Sequence, residues 1–173
     1  MPGVGTPRPF VVLLVDDDLR TTRRMADMLR EDGFAVEIAR DGAAAVSRLS
    51  RSPVPDALVT ELTTAHVGGI AIGRFARSQR PGLPVLVLTG YPNLFEPNAF
   101  GGGPPAQLFT KPVEYSELKE ALLGASRSAD PSRASEPPVA ADPATRSALG
   151  SANDDALRDT VSGAQTLRAL RRP

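Results

Sequence analysis

Short apolar runs alternate with helix-like patterns along the front part of the chain. FVVLLV (Phe10–Val15) is a continuous apolar run of strand length, the pattern of a strand buried on both faces. Asp18 is placed to cap a helix over Leu19–Glu31, with Met25, Met28 and Leu29 turned inward and Gly33 as its stop. FAVEIA (Phe34–Ala39) alternates as a second strand, and Gly42–Leu49 reads as helix. Ala57–Thr60 is a third strand, Ile70–Arg77 a helix ending before Pro81, and Val85–Thr89 a fourth strand. Leu108–Thr110 is a short fifth strand, and Ser116 is placed to cap a last helix over Glu117–Leu123. This alternation predicts a parallel sheet with helices on both faces. Binding chemistry in such a sheet gathers at the carboxyl ends of the strands.

The pattern stops near Gly124. The segment ASRSADPSRASEPPVAADPATRSALGS is small, polar and proline-dotted, and cannot bury enough apolar surface to offset its ordering entropy. The expected organisation is a flexible N-terminus over residues 1–8, an α/β domain over 9–124, a disordered linker over 125–152 and a tail over 153–173. In the tail, Asn153 can cap a short helix with Leu157, Val161, Ala164 and Leu167 near one face and arginines at its end. That helix is either marginal or a docking element that folds on a partner.

Composition narrows the function classes. Among 173 residues, Lys+Arg and Asp+Glu balance at 20 each, so no global field recruits nucleic acid or an acidic membrane. There is no cysteine, which removes disulfides, thiolate metal sites and Cys nucleophiles. The single histidine, His66, cannot build a His-rich metal centre and is expected in an exposed loop. No run approaches the ~20 apolar residues of a membrane span, and MPGVGTPRPF lacks a signal-peptide core. The expectation is a cytoplasmic protein with no second globular region, acting through a partner, a dimer or its tail. The exposed-helix arginines Arg20, Arg23, Arg24 and Arg30 read as a solvated face or a rim for an acidic partner. GGGPP lacks the Lys-Ser/Thr ending of a phosphate loop.

The strand ends carry the chemistry. The first delivers Asp16 and Asp17 with Asp18 beside them, the third Glu61, the fourth Thr89, and the fifth Lys111 followed by Pro112. Several acids in one small site repel one another unless a cation or the lysine neutralises them. Oxygen ligands without His or Cys suit a hard ion, and Mg²⁺ is the natural guest. A hydroxyl and an ammonium opposite it would complete a cradle for a phosphoryl group.

Four blocks carry a resemblance to a family: VDDD (Val15–Asp18), PDALVTEL…GGI (Pro55–Ile70), VLVLTG (Val85–Gly90) and TKP (Thr110–Pro112). In this order and spacing the stretch from about Pro9 to Gly124 resembles the receiver domain of two-component response regulators. The resemblance implies a flavodoxin-like, doubly wound five-stranded parallel sheet. It also implies phosphoryl transfer from a sensor histidine kinase to an aspartate at the end of the third strand. Asp16 and Asp17 would hold Mg²⁺ together with the acid at the third strand, Glu61 here. Thr89 would be the switch hydroxyl and Lys111 the phosphate-binding ammonium.

Three departures qualify it. Glu61 stands at the phosphoacceptor position, its carboxylate pushed about one C–C bond (~1.5 Å) further out than that of an aspartate. Because in-line phosphoryl transfer depends chiefly on positioning, glutamate should be a poor nucleophile there and a partial phosphate mimic, paired with Lys111. Leu108 replaces the aromatic that usually moves with the threonine. YPNLFEPNAFGGGPPAQ (Tyr91–Gln107), where a fourth helix belongs, is too rich in proline and glycine to form one. The leading expectation is a pseudo-receiver acting through protein–protein interaction. The alternatives are a working phosphoacceptor using Glu61 or a neighbouring acid with Mg²⁺, a fold relic whose acids have no present role, and a Mg²⁺-dependent phosphoryl-transfer enzyme on a related sheet. The last of these lacks a second acid motif.

Overall fold

The computed structural model describes residues 8–64 and 67–129. His66, the greater part of the predicted linker and the predicted tail helix lie outside the described residues. Five strands form one parallel sheet: β1 (Val11–Val15), β2 (Ala35–Ala39), β3 (Ala57–Glu61), β4 (Val85–Thr89) and β5 (Gln107–Thr110). Their order is β2-β1-β3-β4-β5, so the chain winds outward in both directions from β1, and the ends of β1 and β3 meet at the switch point. The helices are α1 (Leu19–Glu31), α2 (Gly42–Leu49), α3 (Gly69–Gln79) and α4 (Tyr115–Ala129).

β3 and β4 are buried along their whole length, β3 including its polar end Thr60–Glu61. Alternate side chains feed two cores. Leu13, Val15, Leu58, Val85 and Val87 share one with Leu49, Ile72 and Ala76 of α2 and α3. Val12, Leu14, Val59, Leu86 and Leu88 share the other with Ala26 and Leu29 of α1 and Leu118 and Leu122 of α4. Asp18 caps α1, its Oδ1 accepting the Arg20 and Thr21 N–H groups.

Four local readings need correction. The inward ridge of α1 is Thr22–Ala26–Leu29, with Met25 and Met28 only half-buried beside it, because the helix faces the sheet along an i, i+4, i+7 row. α3 is a residue longer at its start and two longer at its end than predicted, opening at Gly69. Ser116 lies inside α4 rather than capping it. α4 also runs through Gly124, so residues 125–129, assigned to the linker, are helical, with Ser126 continuing the buried row of Leu118 and Leu122.

Between β4 and β5 there is no regular helix. Two 3₁₀ turns, Pro92–Leu94 and Pro97–Phe100, are followed by a glycine-proline loop, as the composition requires. Phe100 anchors this stretch in the core, fully buried against Gly73 of α3. Arg77, also on the inner side of α3, donates to the carbonyls of Leu83, Gly101 and Pro104. Burial holds its guanidinium pKa below the ordinary value. At the opposite end of the sheet, Asp56 accepts from Arg8, Arg80 and the Val11 N–H, tying the starts of β1 and β3 together.

Candidate functional site

The carboxyl ends of β1, β3 and β5 bring Asp16, Glu61 and Lys111 into contact. The Lys111 ammonium lies 2.7 Å from Asp16 Oδ2 and 2.7 Å from Glu61 Oε2. Both carboxylates are buried, while the lysine is about one-third exposed at its side chain. The other Glu61 oxygen, Oε1, accepts the Leu62 N–H at 2.8 Å and, at 3.5 Å, the Thr63 N–H. Asp16 Oδ1 accepts the Asp18 N–H at 2.9 Å, which turns the chain into α1. Burial pushes the Lys111 pKa down, but its hydrogen bonds to Asp16 and Glu61 outweigh that and leave it above the ordinary lysine value.

Glycines let the loop after β3 close tightly enough to present those amides. A Cβ on Gly69 would lie 2.2 Å from the Glu61 carbonyl oxygen, so only glycine lets α3 start this close to the strand end. The Gly69 N–H donates to Leu62 O at 3.0 Å.

The remaining predicted positions lie around this bridge. Asp17 and Asp18 are exposed, and the Asp18 pKa is lowered by its hydrogen bonds with Thr21. Thr89 is fully buried, and its Oγ1 accepts the Tyr91 N–H at 3.1 Å; among the described residues it makes no hydrogen bond to Glu61. Leu108 is half-buried against the α2–α3 core, in register with Val87.

The family resemblance implies a Mg²⁺ ion at the acidic strand ends. Here Asp16 and Glu61 both face the Lys111 ammonium, Asp17 is exposed, and no group of three or more metal-ligating side chains is gathered among the described residues. Asp16 and Glu61 come together at the strand ends, and Asp17 follows Asp16 at the mouth of the site. The lysine offsets one of the two buried negative charges, and Asp16, Asp17 and Glu61 are the oxygen donors that would hold the ion.

Sequence reasoning missed Arg77, which shapes the loop beyond β4. Helical spacing could have found it, since Gly69, Ile72, Gly73, Ala76 and Arg77 form one buried face.

This sheet order, with side chains gathered at the carboxyl ends of the strands, is that of a flavodoxin-like doubly wound α/β fold. A response regulator receiver protein from Sinorhizobium medicae WSM419 has the same fold, with a TM-score of 0.60 at 20% identity over 71% of this chain and 98% of that one. A putative response regulator from Chloroflexus aurantiacus J-10-fl superposes with a TM-score of 0.58 at 27% identity, over 68% of this chain and 98% of that one. The response regulator receiver domain model matches residues 12–123, and the chain belongs to that family. The response regulator MprA of Mycobacterium leprae (strain TN) is 31% identical over 125 residues, 72% of this chain and 54% of that protein. MprA of Mycobacterium sp. (strain KMS) is 28% identical over 144 residues, 80% of this chain and 62% of that protein. The chain thus spans about half the length of the curated relatives it matches. No helix among the described residues is long and apolar enough to cross a membrane.

Proposed function

We propose that this receiver domain is a pseudo-receiver: a cytoplasmic signalling module that works by protein–protein contact and does not run a phosphorylation cycle. Glu61 serves as its internal anion. The observation that carries this reading is the double engagement of the Glu61 carboxylate, with Lys111 on one oxygen and the loop N–H groups of Leu62 and Thr63 on the other. Those are the kinds of donor that a phosphoryl group would need at this spot. A carboxylate held this way is poorly placed to attack phosphorus, because the reaction demands in-line positioning. The mimicry is partial. Glu61 carries one negative charge where a phosphoryl group carries nearly two. It engages the lysine while Thr89 stays bonded to Tyr91.

The remodelled stretch after β4 supports a contact role. It replaces a helix with two 3₁₀ turns and leaves Tyr91 and Leu94 60% and 53% exposed. Its partner class is a sensor histidine kinase, another signalling protein or a second copy of the chain.

Intact-protein mass after incubation with Mg²⁺ and acetyl phosphate tests the proposal. The wild type should gain no phosphoryl group, and Glu61→Asp should gain one. Modification of the wild type would mean that Glu61 or a neighbouring acid is a live acceptor. Modification of neither would mean that the cradle around Glu61 has itself decayed.

A further inference from the structure

A cavity of about 500 Å³ opens beside the acid–lysine bridge on the α1–α4 face of the sheet. Its origin is the position of α4. Tyr115 and Lys119, in the first turns of α4, both donate to Asp32, the residue that ends α1. α1 starts at the carboxyl ends of the strands and runs away from them, so α4 begins level with the far end of α1. Near the strand ends its floor reaches the buried side chains of Leu14, Val59 and Leu88, and the walls are Met25 on one side and Pro112–Val113 on the other. The cavity is of ligand size, and most of its lining is apolar.

The rim decides what kind of molecule fits. Asp16, Asp18, Thr21, Thr22 and Lys111 supply its polar groups. The donors among them are largely committed. The Thr21 hydroxyl donates to Asp18 Oδ2 and the Thr22 hydroxyl to the Asp18 carbonyl. The Lys111 ammonium faces both Asp16 and Glu61. Two carboxylates therefore line the rim against one ammonium that is already shared, and the carboxylate and hydroxyl oxygens keep free lone pairs. A negative, acceptor-rich rim over an apolar floor matches a cationic, hydrogen-bond-donating head on an apolar body.

We infer that this cavity is a binding site for a small amphipathic amine, its alkyl or aryl body against Met25, Pro112 and Val113 and its ammonium at Asp16 and Asp18. This inference does not depend on the phosphorylation reading. Asp16 belongs both to the rim and to the bridge, so an occupied cavity would draw on the same carboxylate that holds Lys111.

The test titrates n-octylamine and n-octanoate, each below its aggregation threshold, into the full chain. Heat and amide chemical shifts are followed together. Saturable binding of the amine at least about tenfold tighter than the carboxylate is expected, with shifts concentrated at residues 21–25 and 113–114. Val113→Trp, which fills the cavity from its half-exposed wall, should lose most of that binding while keeping a dispersed amide spectrum. Absence of saturable binding, equal affinity for the two head groups, or shifts centred elsewhere would overturn the inference. If the tryptophan variant does not fold, the head-group contrast and the shift map still decide.

Discussion

At Glu61 one carboxylate meets donors from two directions, Lys111 on Oε2 and the Leu62 and Thr63 amides on Oε1. The extra methylene of glutamate lets the group reach the lysine while curling back onto its own loop. This pairing has a pH signature. Lys111 has a raised pKa in the folded chain, so its contribution is fully present below the unfolded lysine value of about 10.4 and fades as pH rises through the folded value. Urea midpoints measured from pH 8 to above pH 11 should therefore fall more steeply for the wild type than for Lys111→Met. Parallel curves would mean that the ammonium adds nothing to stability. Asp56 has the opposite sign. Burial raises its pKa, but the Val11 amide, Arg80 and Arg8 outweigh that and depress it. Its contribution is present above about pH 3.9 and is lost as pH falls through the folded value. Asp56→Asn should flatten the acid limb of the stability curve, and an unchanged limb would remove Asp56 from the account.

Among the elements, the stretch between β4 and β5 differs most from a regular α/β unit. Its prolines forbid a helix, and the chain compensates by burying Phe100 against Gly73 and by satisfying its carbonyls with Arg77. A Cβ at position 73 would lie 2.5 Å from Phe100 Cδ1. Alanine normally helps a helix interior by about 0.5–1 kcal/mol relative to glycine. Here overpacking against a fully buried ring outweighs that gain, so Gly73→Ala should destabilise by about 1–2 kcal/mol in urea unfolding. In a Phe100→Leu background the same change should cost much less, and equal costs in both backgrounds would mean that the ring is not what limits the site. The strands were legible from continuous apolar runs or, in β2, from alternation, and α1 because Asp18 marks its start. α4 was cut short because Gly124 reads as a stop. The buried row Leu118–Leu122–Ser126 carries the helix past it, since packing outweighs the local preference of one glycine.

Across the whole molecule, the bridge Asp16–Lys111–Glu61 ties together the ends of β1, β3 and β5, elements far apart in sequence. The residue types at these strand ends were legible from the order of the four motif blocks. Their arrangement was not. Spacing along a chain cannot tell whether a lysine or a metal ion neutralises two acids, nor that Thr89 bonds to Tyr91. The cavity beside the bridge was equally hidden, because it follows from where α4 sits rather than from any local pattern. The central claim is that Glu61 is an anion internal to the domain and held by Lys111. A double-mutant cycle measures this most directly, with urea unfolding of wild type, Glu61→Gln, Lys111→Met and the double variant. A favourable coupling energy of about 1–2 kcal/mol is predicted. Additivity within about 0.5 kcal/mol would contradict it.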